Sequence, residues 1–214
     1  METGKERGTL NRAQGTILCY GASNTYGYDP RDFYSGCFPE EQCWTGILAR
    51  ETGWKVINEG VCGREIPHKD YDIVWTCRSL DQLLEEKEPR WFWVKLGTND
   101  LLSNPRFQAE DVADRMETFL KRLQGEKAVS SGKVKLRLIV PPCMQQGTWV
   151  QEERLYRESR RLGTYYRDVA RKLHIAFTDS SKWEIPVLYD GVHLSEEGHR
   201  LFAQHLLEEV FHQK

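Results

Sequence analysis

The sequence predicts an α/β domain, a doubly wound, mostly parallel five-stranded sheet with helices on both faces. Three observations carry that expectation. Apolar or β-branched runs recur five times along the 214 residues. Helical stretches, with apolar residues three and four apart, separate them. The runs lead into short polar, glycine-containing segments, and in a parallel α/β sheet ligands are met at the carboxyl ends of strands.

The first strand is read over 16–20 and ends at Gly21. A helix over 41–52 follows, with Trp44, Ile47 and Leu48 on one face. The second strand is Lys-Val-Ile-Asn over 55–58, and 79–86 reads as a helix. The third strand, Trp-Phe-Trp-Val-Lys-Leu, spans 91–96. Val112, Met116, Phe119, Leu120 and Leu123 then mark an amphipathic helix, and 126–133 reads as a polar connection to a fourth strand over 135–140. Leu155, Leu162, Tyr166, Val169 and Leu173 mark a further helix, ahead of a short fifth strand over 175–178. The last helix opens with Ser195 as N-cap and Glu196 and Glu197 in its first turn, favourable at the positive end of the helix dipole. Residues 1–15 read as a polar tail, disordered or foreign to the domain, and 16–214 as a single domain.

Composition narrows the function classes. Lys plus Arg is 30 against 32 for Asp plus Glu, a net charge of −2, so nothing draws the chain to nucleic acid or to an anionic membrane. No apolar run reaches the length of a membrane span, and the polar start lacks the apolar core of a signal peptide; a cytoplasmic location is expected. The six cysteines form no C-x-x-C pair and the six histidines no H-x-x-x-H pair. Reduced thiols, with no metal and no cofactor, are the expectation.

Four segments carry chemistry. Gly21-Ala22-Ser23-Asn24 follows the first strand and Asn58-Glu59-Gly60-Val61-Cys62-Gly63-Arg64 the second. Gly97-Thr98-Asn99-Asp100 follows the third, and Asp190-Gly191-Val192-His193 precedes the last helix. The fold class brings these loops to one edge of the sheet. A serine needs a base to take its proton, and histidine suits that task near neutrality. Asp190, three residues before His193, is expected to hold the ring nitrogen facing away from Ser23. The carbonyl oxygen that turns negative during acyl transfer needs donors already in place; the N–H groups of Ser23 and Gly63 and the side-chain amide of Asn99 are the candidates. Alone, each segment also reads as a cap or a turn; together they read as one site.

The four blocks resemble those of SGNH (GDSL-type) hydrolases, with Ser23, Gly63, Asn99 and His193 at the block positions and Asp190 completing a triad. The resemblance runs from Ile17 to the last helix. Within that family the chain is similar to the arylesterase-like branch, through Cys-Tyr-Gly-x-Ser-Asn-Thr-Tyr-Gly-Tyr, Trp44-Thr45-Gly46 and Pro141-Pro142. It implies a flavodoxin-like sheet and a serine esterase acting on short acyl, above all acetyl, esters, with a small-molecule ester as partner and a homo-oligomeric assembly as in several members. One residue departs from the pattern: the family carries an acid before the nucleophile, and Ala22 stands there. That substitution is expected to loosen Ser23 or the oxyanion donors and lower turnover.

Alternatives stay open at this level. The same acyl-enzyme would serve a carbohydrate O-deacetylase or an acyltransferase, and Ala22 is compatible with a weakened ligand-binding module. Tyr26, Trp44 and Trp149 are candidates to stack on a sugar or line an acyl slot, or else to pack in a core or interface. Arg64 either meets an anionic substrate or is a solvated surface residue.

Overall fold

The computed structural model describes residues 15–32, 34 and 36–211. The tail expected over 1–15 therefore lies outside the described residues, Gly15 excepted, as do 212–214.

Five strands form one parallel sheet: β1 (Thr16–Gly21), β2 (Lys55–Gly60), β3 (Trp91–Lys95), β4 (Lys135–Val140) and β5 (Ala176–Asp179), in the order β2-β1-β3-β4-β5. Successive side chains of a strand point to opposite faces, so each central strand feeds two cores. On one face Leu18, Tyr20, Phe92, Val94, Leu136, Leu138 and Val140 pack against helices α3 (Asp70–Lys87), α5 (Ala109–Gln124) and α7 (Glu153–Lys172). On the other, Ile17, Cys19, Trp93 and Ile139 meet α2 (Trp44–Thr52) and α8 (Glu196–Leu206). The periodicity of α5 becomes one buried stripe, Val112, Met116, Phe119, Leu120 and Leu123, each at 0–1 % exposure. Truncating Phe119 to alanine there would cost about 3–5 kcal/mol. Ser195 caps α8 as expected, accepting from the Gly198 N–H at 3.0 Å.

Some boundaries differ from the sequence reading. The helix expected over 79–86 starts at Asp70; its buried face is sparse (Ile73, Cys77, Leu80, Leu84) and Tyr71 and Trp75 point outward, which masks the periodicity of its first half. The connection 126–133 contains a helical turn, α6 (Lys127–Ser130), whose Ala128 N–H is taken by the Asp81 carboxylate. Two short helices sit at strand ends, α1 (Ser23–Tyr26) after β1 and α4 (Thr98–Ser103) after β3. No described helix is long and apolar enough to cross a membrane. Among the described residues no group of three His, Cys, Asp or Glu side chains is placed to hold a metal ion.

Candidate active site

β1 delivers the first component. Its last residue, Gly21, passes the chain to Ala22, and the backbone turns at once into α1 with Ser23 as first residue. The Ala22 carbonyl closes that turn by accepting from the N–H groups of Thr25 and Tyr26, both at 2.9 Å. Ser23 is thereby held at the carboxyl edge of a central strand, 7 % exposed.

The loop before α8 delivers the other two. Asp190 is fully buried, and its Oδ1 accepts the backbone N–H groups of Val192 (2.8 Å) and His193 (2.9 Å). Its Oδ2 lies 2.7 Å from His193 Nδ1, and His193 Nε2 lies 3.0 Å from Ser23 Oγ. A carboxylate can only accept, so Nδ1 carries the proton and Nε2 is left to accept from the serine hydroxyl. Gly191 makes the tight loop feasible, for it has a φ of +81° and a Cβ there would lie 2.2 Å from the Gln145 carbonyl oxygen.

Two further loops carry the remaining candidates, and the first is tied to the end of β1 by the Val61 N–H on the Gly21 carbonyl at 3.1 Å. Gly63, in the loop after β2, has a φ of +75° with open space where a side chain would stand. Its N–H makes no hydrogen bond among the described residues. Asn99, in the first turn of α4, donates one N–H of its amide to the Arg64 carbonyl at 3.0 Å; the amide carries a second. Its neighbour Asp100 is fully buried, accepts the Ile66 N–H at 3.2 Å and pairs with Arg115 at 3.1 Å. Burial pushes the Asp100 carboxyl up to about 6. Asn99 and Asp100 together fasten the 64–66 segment to the end of β3. The sequence singled out the pair as a motif but gave Asp100 no task.

The four expected substrate contacts separate. Trp149 is 52 % exposed, its ring centroid is 5.1 Å from that of His193 in an edge-on arrangement, and its backbone N–H donates to the Asp190 carbonyl at 3.0 Å. Tyr26 stands half exposed on α1, three residues from Ser23. Trp44 does not face a ligand. It is 1 % exposed, packs edge-on to Phe202 and donates its indole N–H to the Asn24 carbonyl at 2.8 Å. Its helical spacing with Ile47 and Leu48 is that of a core stripe, which decides against the substrate role. Arg64 is also taken up internally. Its Nη1 donates to the carbonyls of Gly21 (2.9 Å) and Glu59, and its guanidinium lies over the Tyr20 ring at 3.9 Å. Half-buried, it braces the ends of β1 and β2 through these two carbonyls.

Two residues at the site escaped the sequence reading. Tyr28 packs edge-on against His193, centroids 4.8 Å apart, opposite in sequence to Trp149. Asn24 bonds the backbone on both sides of His193, through Val192 and Leu194. Tyr28 stands two residues past Tyr26 in the aromatic Tyr-Gly-Tyr run, a weak signal. Asn24 lies within the motif Cys-Tyr-Gly-x-Ser-Asn-Thr-Tyr-Gly-Tyr, but nothing there assigns it more than the task of a turn asparagine.

Comparison with known proteins agrees with this architecture. A carbohydrate acetylesterase from Sinorhizobium meliloti superposes with a TM-score of 0.76 at 22 % identity, covering 92 % of this chain and 98 % of that one. The aryl esterase of M. smegmatis gives 0.75 at 24 % identity, with 92 % and 98 % covered. A carbohydrate acetylesterase family member, also from Sinorhizobium meliloti, gives 0.73 at 25 % identity, with 92 % and 97 % covered. No curated protein matches the chain. A family model matches residues 19–201, from within β1 into α8, and by that match the chain belongs to the GDSL-like lipase/acylhydrolase family.

Proposed function

We propose that the protein is a serine esterase that hydrolyses short-chain, above all acetyl, esters through an acyl-enzyme on Ser23. The observation that carries the reading is the unbroken chain from Asp190 through His193 to Ser23, with bonds of 2.7 and 3.0 Å. Ser23 Oγ attacks the ester carbonyl while His193 Nε2 takes its proton. The tetrahedral oxyanion is met by the N–H groups of Ser23 and Gly63 and by the Asn99 amide. Collapse expels the alcohol, which leaves with the proton held by His193. Water then attacks the acyl-enzyme, giving a proton to His193; the carboxylic acid departs and Ser23 Oγ regains its proton. Asp190 keeps the imidazole in one tautomer and steadies the imidazolium formed in each half-reaction.

Carbohydrate O-deacetylation is the second reading, favoured by the exposed indole of Trp149 beside His193, a flat surface suited to a sugar face. Acyl transfer to an alcohol would use the same acyl-enzyme. The intact hydrogen-bonded chain argues against a module that holds a ligand without turning it over.

The test is p-nitrophenyl acetate hydrolysis together with organophosphonate labelling read by mass spectrometry. The wild type is expected to release nitrophenol and to carry one adduct on Ser23, and Ser23→Ala to lose both. Wild-type-like turnover by Ser23→Ala would remove Ser23 from the mechanism. A parallel panel of acyl chain lengths and acetylated sugars separates the two substrate classes.

A further inference from the structure

Ser23 and His193 stand 170 positions apart in the chain, so their 3.0 Å separation depends on how two distant loops are held together. The side chain next to the serine makes that connection. Asn24 is 9 % exposed; its Nδ2 donates to the Val192 carbonyl and its Oδ1 accepts the Leu194 N–H, both at 2.9 Å. Val192 and Leu194 flank His193. One planar amide therefore satisfies the C=O before and the N–H after the imidazole residue, as an adjoining β-strand would. The bracket is itself anchored, since the Asn24 carbonyl accepts the indole N–H of the buried Trp44 at 2.8 Å.

The His193 loop does not need this bracket to exist. It is tied internally by Leu188 N–H to the His193 carbonyl (2.7 Å), Gly191 N–H to the Leu188 carbonyl (3.0 Å) and Ser195 N–H to the Pro186 carbonyl (3.2 Å). Val187 and Leu194 also form an antiparallel bridge. Those bonds fold the loop, but none of them refers it to β1. The two Asn24 bonds do, and they do so in a dry setting where an unmatched donor or acceptor is costly.

We propose that Asn24 is a positioning residue for catalysis, setting the distance and angle between the Ser23 hydroxyl and the His193 imidazole by clamping both flanks of His193 to the nucleophile turn. The proposal rests on the esterase reading. Both amide atoms of Asn24 are taken by main-chain groups, so its loss is expected to act on the chemical step and to leave substrate affinity nearly untouched.

Asn24→Leu removes both bonds at similar volume. Asn24→Asp keeps the acceptor for Leu194 but sets a carboxylate oxygen against the Val192 carbonyl. Both are measured with p-nitrophenyl acetate beside wild type and Ser23→Ala, with near-UV circular dichroism and thermal unfolding as fold controls. The expected result is a folded Asn24→Leu whose kcat falls about 10- to 100-fold, the scale of an ångström-sized misplacement, with KM within about threefold. Organophosphonate labelling of Ser23 should slow in proportion. A kcat within twofold of wild type, or a KM rise at intact kcat, overturns the proposal. If Asn24→Leu fails to fold, the same criteria apply to Asn24→Asp, and failure of both to fold overturns it in favour of a purely structural role. Full activity of Ser23→Ala would instead sink the esterase reading, an outcome distinct from a silent Asn24 beside a dead Ser23→Ala.

Discussion

Lys95 offers the sharpest test of the energetics. It is the last residue of β3, 4 % exposed, and its ammonium sits between the rings of Phe202 (5.4 Å) and Trp44 (5.8 Å) with no ion pair among the described residues. Burial pushes its pKa down to about 7 from the ordinary 10.5. Between those values the folded state binds fewer protons than the unfolded chain, so this residue makes stability rise with pH across that window. The gap corresponds to a cost of about 4 kcal/mol at pH 7, shrinking to about 1 kcal/mol by pH 10. Lys95→Met places an unbranched apolar chain of similar length among the same rings and removes the cost. Urea unfolding at pH 7, 8.5 and 10 should find the variant more stable at pH 7, by up to about 4 kcal/mol, with the advantage fading as pH rises. A variant that is less stable at pH 7, or an advantage that does not change with pH, would refute the assignment of a buried ammonium held without an ion pair.

Three more outcomes follow from the site and its surroundings. Asn99→Ala, folded by circular dichroism, should lose about 100- to 1000-fold in kcat on p-nitrophenyl acetate, and a loss below tenfold would take the amide out of the oxyanion hole. Ala22→Asp introduces a carboxylate beside Ser23, in the cluster where Arg64 covers Tyr20; it should raise kcat by about tenfold or less, the scale of one added hydrogen bond, and unchanged hydrolysis would strip that position of its supposed role. His199, fully buried with Nδ1 accepting the Trp44 backbone N–H, is held at about 3 by burial and then by the Lys95 cation. Below pH 6.5 the unfolded chain takes up a proton that the folded state refuses, so wild-type stability should fall from pH 6.5 towards 3, and His199→Gln should lose about 4 kcal/mol less over that interval in acid titrations of unfolding.

The parts of the fold that were legible in the sequence are those whose signal is local and repeated. The stripe Val112, Met116, Phe119, Leu120 and Leu123 could be nothing but one face of a helix. Trp-Phe-Trp-Val, buried on both sides, marked a central parallel strand. Ser23, Asp190 and His193 were readable because strand ends and fold class determine which loops meet, whatever their separation in the chain. Legibility ended where a residue's task depends on which side of the backbone faces the site. Trp44 and Trp149 are alike in sequence, yet one is locked under α8 and the other stands beside His193. Arg64 read as either a substrate contact or a surface cation because its acceptors are backbone carbonyls of Gly21 and Glu59, and carbonyls leave no mark in a sequence. Asn24 was hidden for the same reason: both its partners are main-chain groups near the far end of the protein.

The distance along the chain between Ser23 and His193, the proposed nucleophile and base, has a consequence for the order of events in synthesis. Ser23 emerges with the first strand, whereas its proton acceptor arrives only after all five strands have been made. Until the last loop docks, the hydroxyl has no base within reach and is as inert as any surface serine. On the proposed mechanism, an emerging chain therefore does not yet carry Ser23 as an activated nucleophile. If the proposed esterase mechanism holds, hydrolytic activity reports that the first and last parts of the sequence have found one another, which makes a chromogenic ester a direct clock for completed refolding.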